Sequence, residues 1–127
     1  MPDDAPVLVV DDDEDTRRLM ERAMVLHGLP VRTAADSKEF AQAMRKPPQP
    51  RLILLDVDMP GTNGFRILQL VRQNPLTAAI PIVMVTSHSE PSDVIQGLTL
   101  GADAYLSKPF TVNTLRVVVA KVLACKP

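Results

Sequence analysis

The chain has 127 residues, 46% hydrophobic and 23% charged, a size and balance that fit one folded domain and exclude intrinsic disorder. Fourteen basic residues against fifteen acidic ones leave a net charge of -1, so no bulk field draws the chain to nucleic acid or to an anionic membrane. A single cysteine, Cys125, excludes an internal disulfide; no residues show zinc-ligand spacing, and no apolar stretch approaches the ~18 residues of a membrane span. With an acidic N-terminus that lacks the basic start of a secretory signal, the chain is expected in the cytoplasm.

Short apolar runs alternate with helix-length stretches five times. Residues 7–10, VLVV, are too few for a helix and consist of valine and leucine, as a strand buried on both faces requires. A helix is expected over about residues 15–27, with Leu19, Met20, Ala23 and Met24 on one face and Gly28 past its end. His27 falls in its last turn, where an imidazole suits the carbonyl end. Residues 31–34 read as a weaker strand. Asp36 and Glu39 have capping-box spacing, and the helix they open carries Phe40, Ala43 and Met44 on its apolar side. PPQP at 47–50 stops it, because proline has no N–H to donate.

RLILLD at 51–56 is the most apolar strand, and MPGTNG after it is turn chemistry. A helix over about 65–73 is stopped by Pro75, and IPIVMVTS at 80–87 supplies a fourth strand. The next helix has Pro91 near its first turn and Gly101 at its end. AYLSKP forms a short fifth strand. In TVNTLRVVVAKVLA, Leu115, Val118, Val119 and Val122 recur at helical spacing, and Val112, Val117 and Val122 widen the apolar surface beyond one stripe. Five strands joined by helical crossovers imply an open parallel sheet with helices on both faces, and residues 5–125 are expected to form one domain. Ligands in such sheets sit at the carboxyl ends of the strands, beside the point where strand order reverses.

The residues at those ends are Asp11, Asp12 and Asp13 after the first strand, Asp56 after the third, Thr86 and Ser87 after the fourth, and Lys108 after the fifth. If the first and third strands are neighbours, carboxylates converge in one pocket, where repulsion raises a pKa or recruits a cation. Magnesium suits such a site, with oxygen ligands from one or two carboxylates, waters and phosphate. Asp56 is then placed to attack phosphorus, with the metal, Lys108 and Thr86 neutralising charge on the phosphoryl oxygens. Asp13 and Asp15 read instead as helix caps or turn formers.

VLVVDDDEDTRRLM, LILLDVDMPGTNGFRIL, IPIVMVTS and GADAYLSKPF, in this order and spacing, resemble the receiver domain of two-component response regulators across roughly residues 6–124. The resemblance implies a flavodoxin-like (βα)5 fold with a five-stranded parallel sheet of order 2-1-3-4-5. It also implies a signalling phosphoacceptor rather than an enzyme. Asp56 would accept a phosphoryl group from a histidine kinase or histidine phosphotransfer protein. Asp12 would ligate Mg2+ directly, with Mn2+ as a substitute; Asp11 would ligate mainly through water, Asp56 through its carboxylate and Asp58 through its backbone carbonyl. Thr86 would hydrogen-bond the phosphoryl oxygen, and Lys108, before a Pro109 that is usually cis, would pair with the acceptor site. Tyr105 matches the switch aromatic that moves between exposed and buried positions with Thr86. Asp58 and His88 occupy the two variable positions at the pocket entrance that influence how long the phosphoryl group survives, while Ser87 is small enough to admit it.

In this reading the output surface is the fourth helix, fifth strand and fifth helix, with a homodimer through that surface as one candidate assembly and no direct contact with nucleic acid or membrane. Two rivals fit part of the pattern. LLDVDMPG resembles the Asp-x-Asp signature of haloacid dehalogenase-type phosphatases, but here the acidic pair precedes it and the chain has no room for a substrate-selecting cap. A receiver-like docking module that is never phosphorylated would be expected to carry a broken pocket.

Overall fold

The computed structural model describes residues 4–125. Among these the elements in chain order are β1 (Val7–Val10), α1 (Glu14–Leu26), β2 (Val31–Ala34), α2 (Ser37–Arg45), β3 (Leu52–Leu55), β4 (Asp58–Met59), β5 (Thr62–Asn63), α3 (Gly64–Gln73), β6 (Ile82–Thr86), α4 (Pro91–Thr99), β7 (Ala104–Ser107) and α5 (Val112–Cys125). Five strands form one parallel sheet in the order β2-β1-β3-β6-β7, which is the expected 2-1-3-4-5 once the hairpin β4–β5 is set aside. That hairpin lies in the stretch read as turn: Gly61 at φ 82° lets the chain reverse, and Asp58 pairs with Asn63.

The central strands are apolar throughout because each face of the sheet is covered. Val7, Val9, Leu52, Leu54, Val83 and Val85 pack with Met20, Ala23 and Met24 of α1 and Leu115, Val119 and Val122 of α5. Leu8, Val10, Ile53, Leu55, Ile82 and Met84 pack on the other face with Ala43 of α2 and Phe65, Ile67, Leu68 and Val71 of α3. Burial at 0% for Leu52, Ile53, Leu54 and Leu55 alike makes β3 the hub of both layers. No helix among the described residues is long and apolar enough to cross a membrane.

Several local expectations shift by a residue. Helix α1 begins at Glu14, and Asp13 is its N-cap, accepting the N–H and the hydroxyl of Thr16; Asp15 lies inside the first turn. Asp36 caps α2 by accepting the Glu39 N–H at 2.8 Å, but Glu39 reaches back to the N–H of Ala35, one residue before the cap. Leu19 is 36% exposed at the margin of the α1 stripe. Of the three valines thought to widen the surface of α5, only Val117 is exposed; Val122 is core and Val112 packs against it.

At the amino end of the sheet, Arg72 ties three segments together. Its guanidinium donates to the carbonyls of Gly101 (2.9 Å), Ala78 (3.1 Å) and Ile80 (2.6 Å) and pairs with Asp103 at 2.9 Å. The same Asp103 oxygen accepts the first N–H of β6, from Ile82, at 2.8 Å. Gly101, at φ 110°, presents its bare Cα to this arginine. The side chains of Arg72 and Asp103 are 16% and 17% exposed, so removal of the cation takes the positive partner from a poorly solvated carboxylate and a donor from three carbonyls. Arg72→Ala is expected to lower the unfolding free energy by about 2–4 kcal/mol, with Arg72→Lys recovering little because an ammonium cannot fork to the same acceptors. Urea denaturation with an unchanged m-value measures this.

Candidate functional site

Backbone pairing continues one residue past each strand and thereby aims the functional side chains. The Asp11 N–H donates to the carbonyl of Ala34 (3.1 Å), the Asp56 N–H to that of Val10 (3.1 Å), and the Lys108 N–H to that of Thr86 (2.9 Å). Because Val10 is in register with Leu55, the next residues, Asp11 and Asp56, emerge side by side. The Arg17 guanidinium holds the Asp11 carbonyl at 2.9 Å. On the other side of Asp56, Gly64 opens α3 so close that a Cβ there would stand 2.0 Å from the Asp56 carbonyl oxygen. Only glycine admits this approach, which lets the start of α3 lie against the end of β3.

Lys108 reaches into the pocket between the aspartates, its Nζ 2.7 Å from Asp11 Oδ2 and 3.0 Å from Asp56 Oδ2. Lys108 precedes Pro109 through a cis peptide bond, as the resemblance implied. Burial alone would pull the ammonium down, but the hydrogen bonds it donates to Asp11 and Asp56 outweigh it and hold Lys108 above its usual range. Asp11 is fully buried, and that desolvation raises its carboxyl above the ordinary value despite bonds from Lys108 and the Asp13 N–H, with the Asp56 charge adding to the rise. One ammonium thus faces three carboxylates, since exposed Asp12 joins them: ligand oxygens of Asp11, Asp12 and Asp56 all lie within 4.8 Å of one another. Clustered hard oxygens with excess negative charge and one open side fit a magnesium ion.

The rest of the expected set surrounds this cluster. Thr86 is fully buried, and its Oγ1 accepts the His88 N–H at 3.2 Å, which leaves its own proton to donate. Ser87 is exposed beside it. The Asp58 side chain does not point at the cluster; its Oδ2 meets His88 Nε2 at 2.8 Å, across the entrance. Its N–H lies 3.3 Å from Asp56 Oδ1. Tyr105 is half-buried, with its hydroxyl donating to the His88 carbonyl; burial, with the nearby charges of Asp93 and Asp56, pushes its phenol up to about 12. His88 is therefore bonded through its N–H to Thr86, through its carbonyl to Tyr105 and through its ring to Asp58.

His27 and Cys125 stand apart from these residues. His27 follows the end of α1, its Nδ1 buried without a hydrogen-bond partner, and Cys125 is exposed at the end of α5. Sequence reasoning missed Arg17, Gly64 and the backbone of His88. The glycine had a signal, since it ends a turn motif and starts a helix directly behind Asp56.

A parallel sheet of this order with an acidic cluster and a lysine at its carboxyl end defines a flavodoxin-like domain with a charged pocket at its switch point. The chain belongs to the response regulator receiver domain family, which it matches over residues 7–120. It is 38% identical over 109 residues to the transcriptional regulatory protein GltR of Pseudomonas aeruginosa, an alignment covering 86% of this chain and 45% of that protein. It is 37% identical to the phosphate regulon transcriptional regulatory protein PhoB of the same organism, over 86% of this chain and 47% of that one. The chain spans about half the length of these curated relatives. Among solved structures it is similar to the chemotaxis response regulator CheY4 of Vibrio cholerae, with a TM-score of 0.84 and 33% identity over 93% of this chain and 98% of that one. The resemblance read from the four sequence blocks and the fold it implied are both borne out, and the family supports a phosphoacceptor role in two-component signalling.

A carboxyl raised in the folded state contributes stability below its unfolded value, and that contribution is lost as pH rises through the folded value. Ionised Asp11 is thus held at a cost at neutral pH. Asp11→Asn is expected to raise stability in metal-free buffer by on the order of 1 kcal/mol, or about 4 °C in Tm. Addition of Mg2+ should raise the Tm of the unsubstituted protein by more than that of Asp11→Asn; thermal melts with and without chelator check both.

Proposed function

We propose that residues 5–125 form one receiver domain that accepts a phosphoryl group on Asp56 from the phosphohistidine of a histidine kinase or histidine phosphotransfer protein. The observation that carries this reading is the position of Lys108 Nζ, which bonds Asp11 and Asp56 together while Asp12 completes an acidic cluster open on one side. Asp12, Asp11, the Asp56 carboxylate and the Asp58 carbonyl would hold Mg2+, or Mn2+ in its place. When bound, the ion offsets charge on the phosphoryl oxygens. An Asp56 oxygen forms the new bond to phosphorus, and the donor imidazole leaves with the electron pair of the broken P–N bond. Lys108 and the Thr86 hydroxyl are positioned to take the transferred oxygens.

Donation of the Thr86 proton to the phosphoryl group would draw on an oxygen that also accepts the His88 N–H, and the carbonyl of the same His88 accepts from Tyr105. That shared residue supports Thr86 and Tyr105 as the switch pair and the surface of α4, β7 and α5 as the readout. Exposed Ile95, Leu98 and Val117 lie on the helices of that surface and suit a protein contact, including a second copy of the chain. Full-length relatives with about twice this length support a longer regulator in which another domain carries the output.

The test is incubation with acetyl phosphate and Mg2+ followed by intact mass. An adduct of about 80 Da is expected, lost on Asp56→Ala and strongly reduced on Lys108→Ala or in EDTA. Absence of the adduct, or its survival in Asp56→Ala, removes the phosphoacceptor reading in favour of a docking module. Repeated turnover of a small phosphomonoester would favour the phosphatase reading instead.

We further propose that the Asp58–His88 pair sets the lifetime of the acyl phosphate. The two groups satisfy each other at 2.8 Å, so their effect is to narrow the water's approach rather than to orient a water. Exposed pairs of this kind are worth ~0.2–1 kcal/mol, so Asp58→Ala with His88→Ala is expected to speed hydrolysis by about 1.4- to 5-fold. An unchanged rate of adduct loss refutes the assignment.

A further inference from the structure

Gly97 lies in the interior of α4, where glycine costs about 1 kcal/mol relative to alanine. Its φ is not positive, unlike those of Gly28, Gly61 and Gly101, so backbone freedom does not explain it. Space does. A Cβ at this position would stand 2.8 Å from Tyr105 Cε2 and 3.0 Å from Tyr105 Cδ2, with Phe65 Cε1 at 3.3 Å. The tyrosine ring therefore rests on the bare backbone of α4, while its hydroxyl is fastened to the His88 carbonyl.

The helix cannot easily retreat from such a contact. The Gly97 carbonyl accepts the Ala102 N–H at 3.0 Å, and the Leu100 N–H donates to Gln96 at 3.0 Å, so the backbone around Gly97 is pinned to the turn that leads into β7. The ring, in contrast, is the far end of a half-buried side chain on the edge strand of the sheet, and rotation about its side-chain torsions carries it to solvent. Overlap at position 97 is thus relieved by moving the tyrosine.

We propose that Gly97 is a positioning residue that seats Tyr105: its missing side chain holds the ring beneath α4, and the smallest substitution turns the ring out onto the surface shared by α4, β7 and α5. The seat is a matter of packing alone. Its signalling consequence rests on the reading of Tyr105 as the switch residue, because an unseated ring releases the His88 carbonyl and emerges on the surface that carries exposed Ile95 and Leu98. On that reading Gly97 sets the resting balance between two forms of the output surface.

Tyr105 is the only tyrosine and the chain has no tryptophan, so intrinsic emission reports this ring alone. In Gly97→Ala, iodide or acrylamide quenching of that emission is expected to rise to the level of an exposed tyrosine, reflecting a shift of about ten-fold or more in the ratio of seated to unseated ring. Quenching equal to that of the unsubstituted protein overturns the proposal. A thermal double-mutant cycle with Tyr105→Ala supplies the second arm. With the ring removed, Gly97→Ala should stabilise through helix propensity, whereas the same loss of Tm in both backgrounds, or failure of both Gly97→Ala proteins to fold, overturns the seat. The acetyl phosphate adduct on the unsubstituted protein is scored separately, so loss of the receiver reading leaves the quenching result to decide the seat.

Discussion

Lys108 occupies a position that no single strand could create. Its ammonium bonds one carboxylate from the end of β1 and another from the end of β3, having arrived from β7, two strands away from β3. For these three groups to meet, the sheet must have its observed order and register, and the backbone bonds must run one residue past each strand. The apolar layers on both faces of β1, β3 and β6 fix that register, because a slip of one residue would exchange the sets facing α1 and α5 with those facing α3. Packing on both faces therefore serves the charge cluster at the edge, and the cluster in turn adds a fixed attraction between the outer and central strands.

The attraction is incomplete, and the shortfall is informative. Asp11 is buried beside Asp56 with one ammonium between them, and its carboxyl is harder to ionise than an ordinary aspartate. A sheet optimised for stability alone would not keep two carboxylates there. Unrelieved negative charge at the carboxyl end is the property a cation site needs, so the shortfall agrees with the proposed use of the pocket.

Much of this was legible in the sequence. Short apolar strands mark their own ends: Asp11, Asp12, Asp56 and Lys108 come just after such ends, and Thr86 closes its own strand. Helix starts at Asp13 and Asp36 were readable to within a residue because capping is local chemistry. Contacts that depend on two distant segments were not. Gly64 and Gly97 look like a turn residue and a helix fault until the backbone of Asp56 and the ring of Tyr105 are seen against them. Arg72 reads as a solvated helix residue, yet it gathers carbonyls from three places. Asp58 and His88 were recognisable as entrance positions, but their bond to each other requires two loops thirty residues apart to meet.

The clamp of Arg72 and Asp103 lies at the opposite end of the sheet from Lys108, on the segments that feed β6 and β7. It binds the entry of both strands, while their exits carry Thr86, His88 and Lys108. The clamp and the charge cluster therefore sit at opposite rims of one sheet, separated by the full length of its strands. Groups that far apart with no shared partner contribute almost additively to stability, so either rim can change in a chain of this size while the other keeps its geometry.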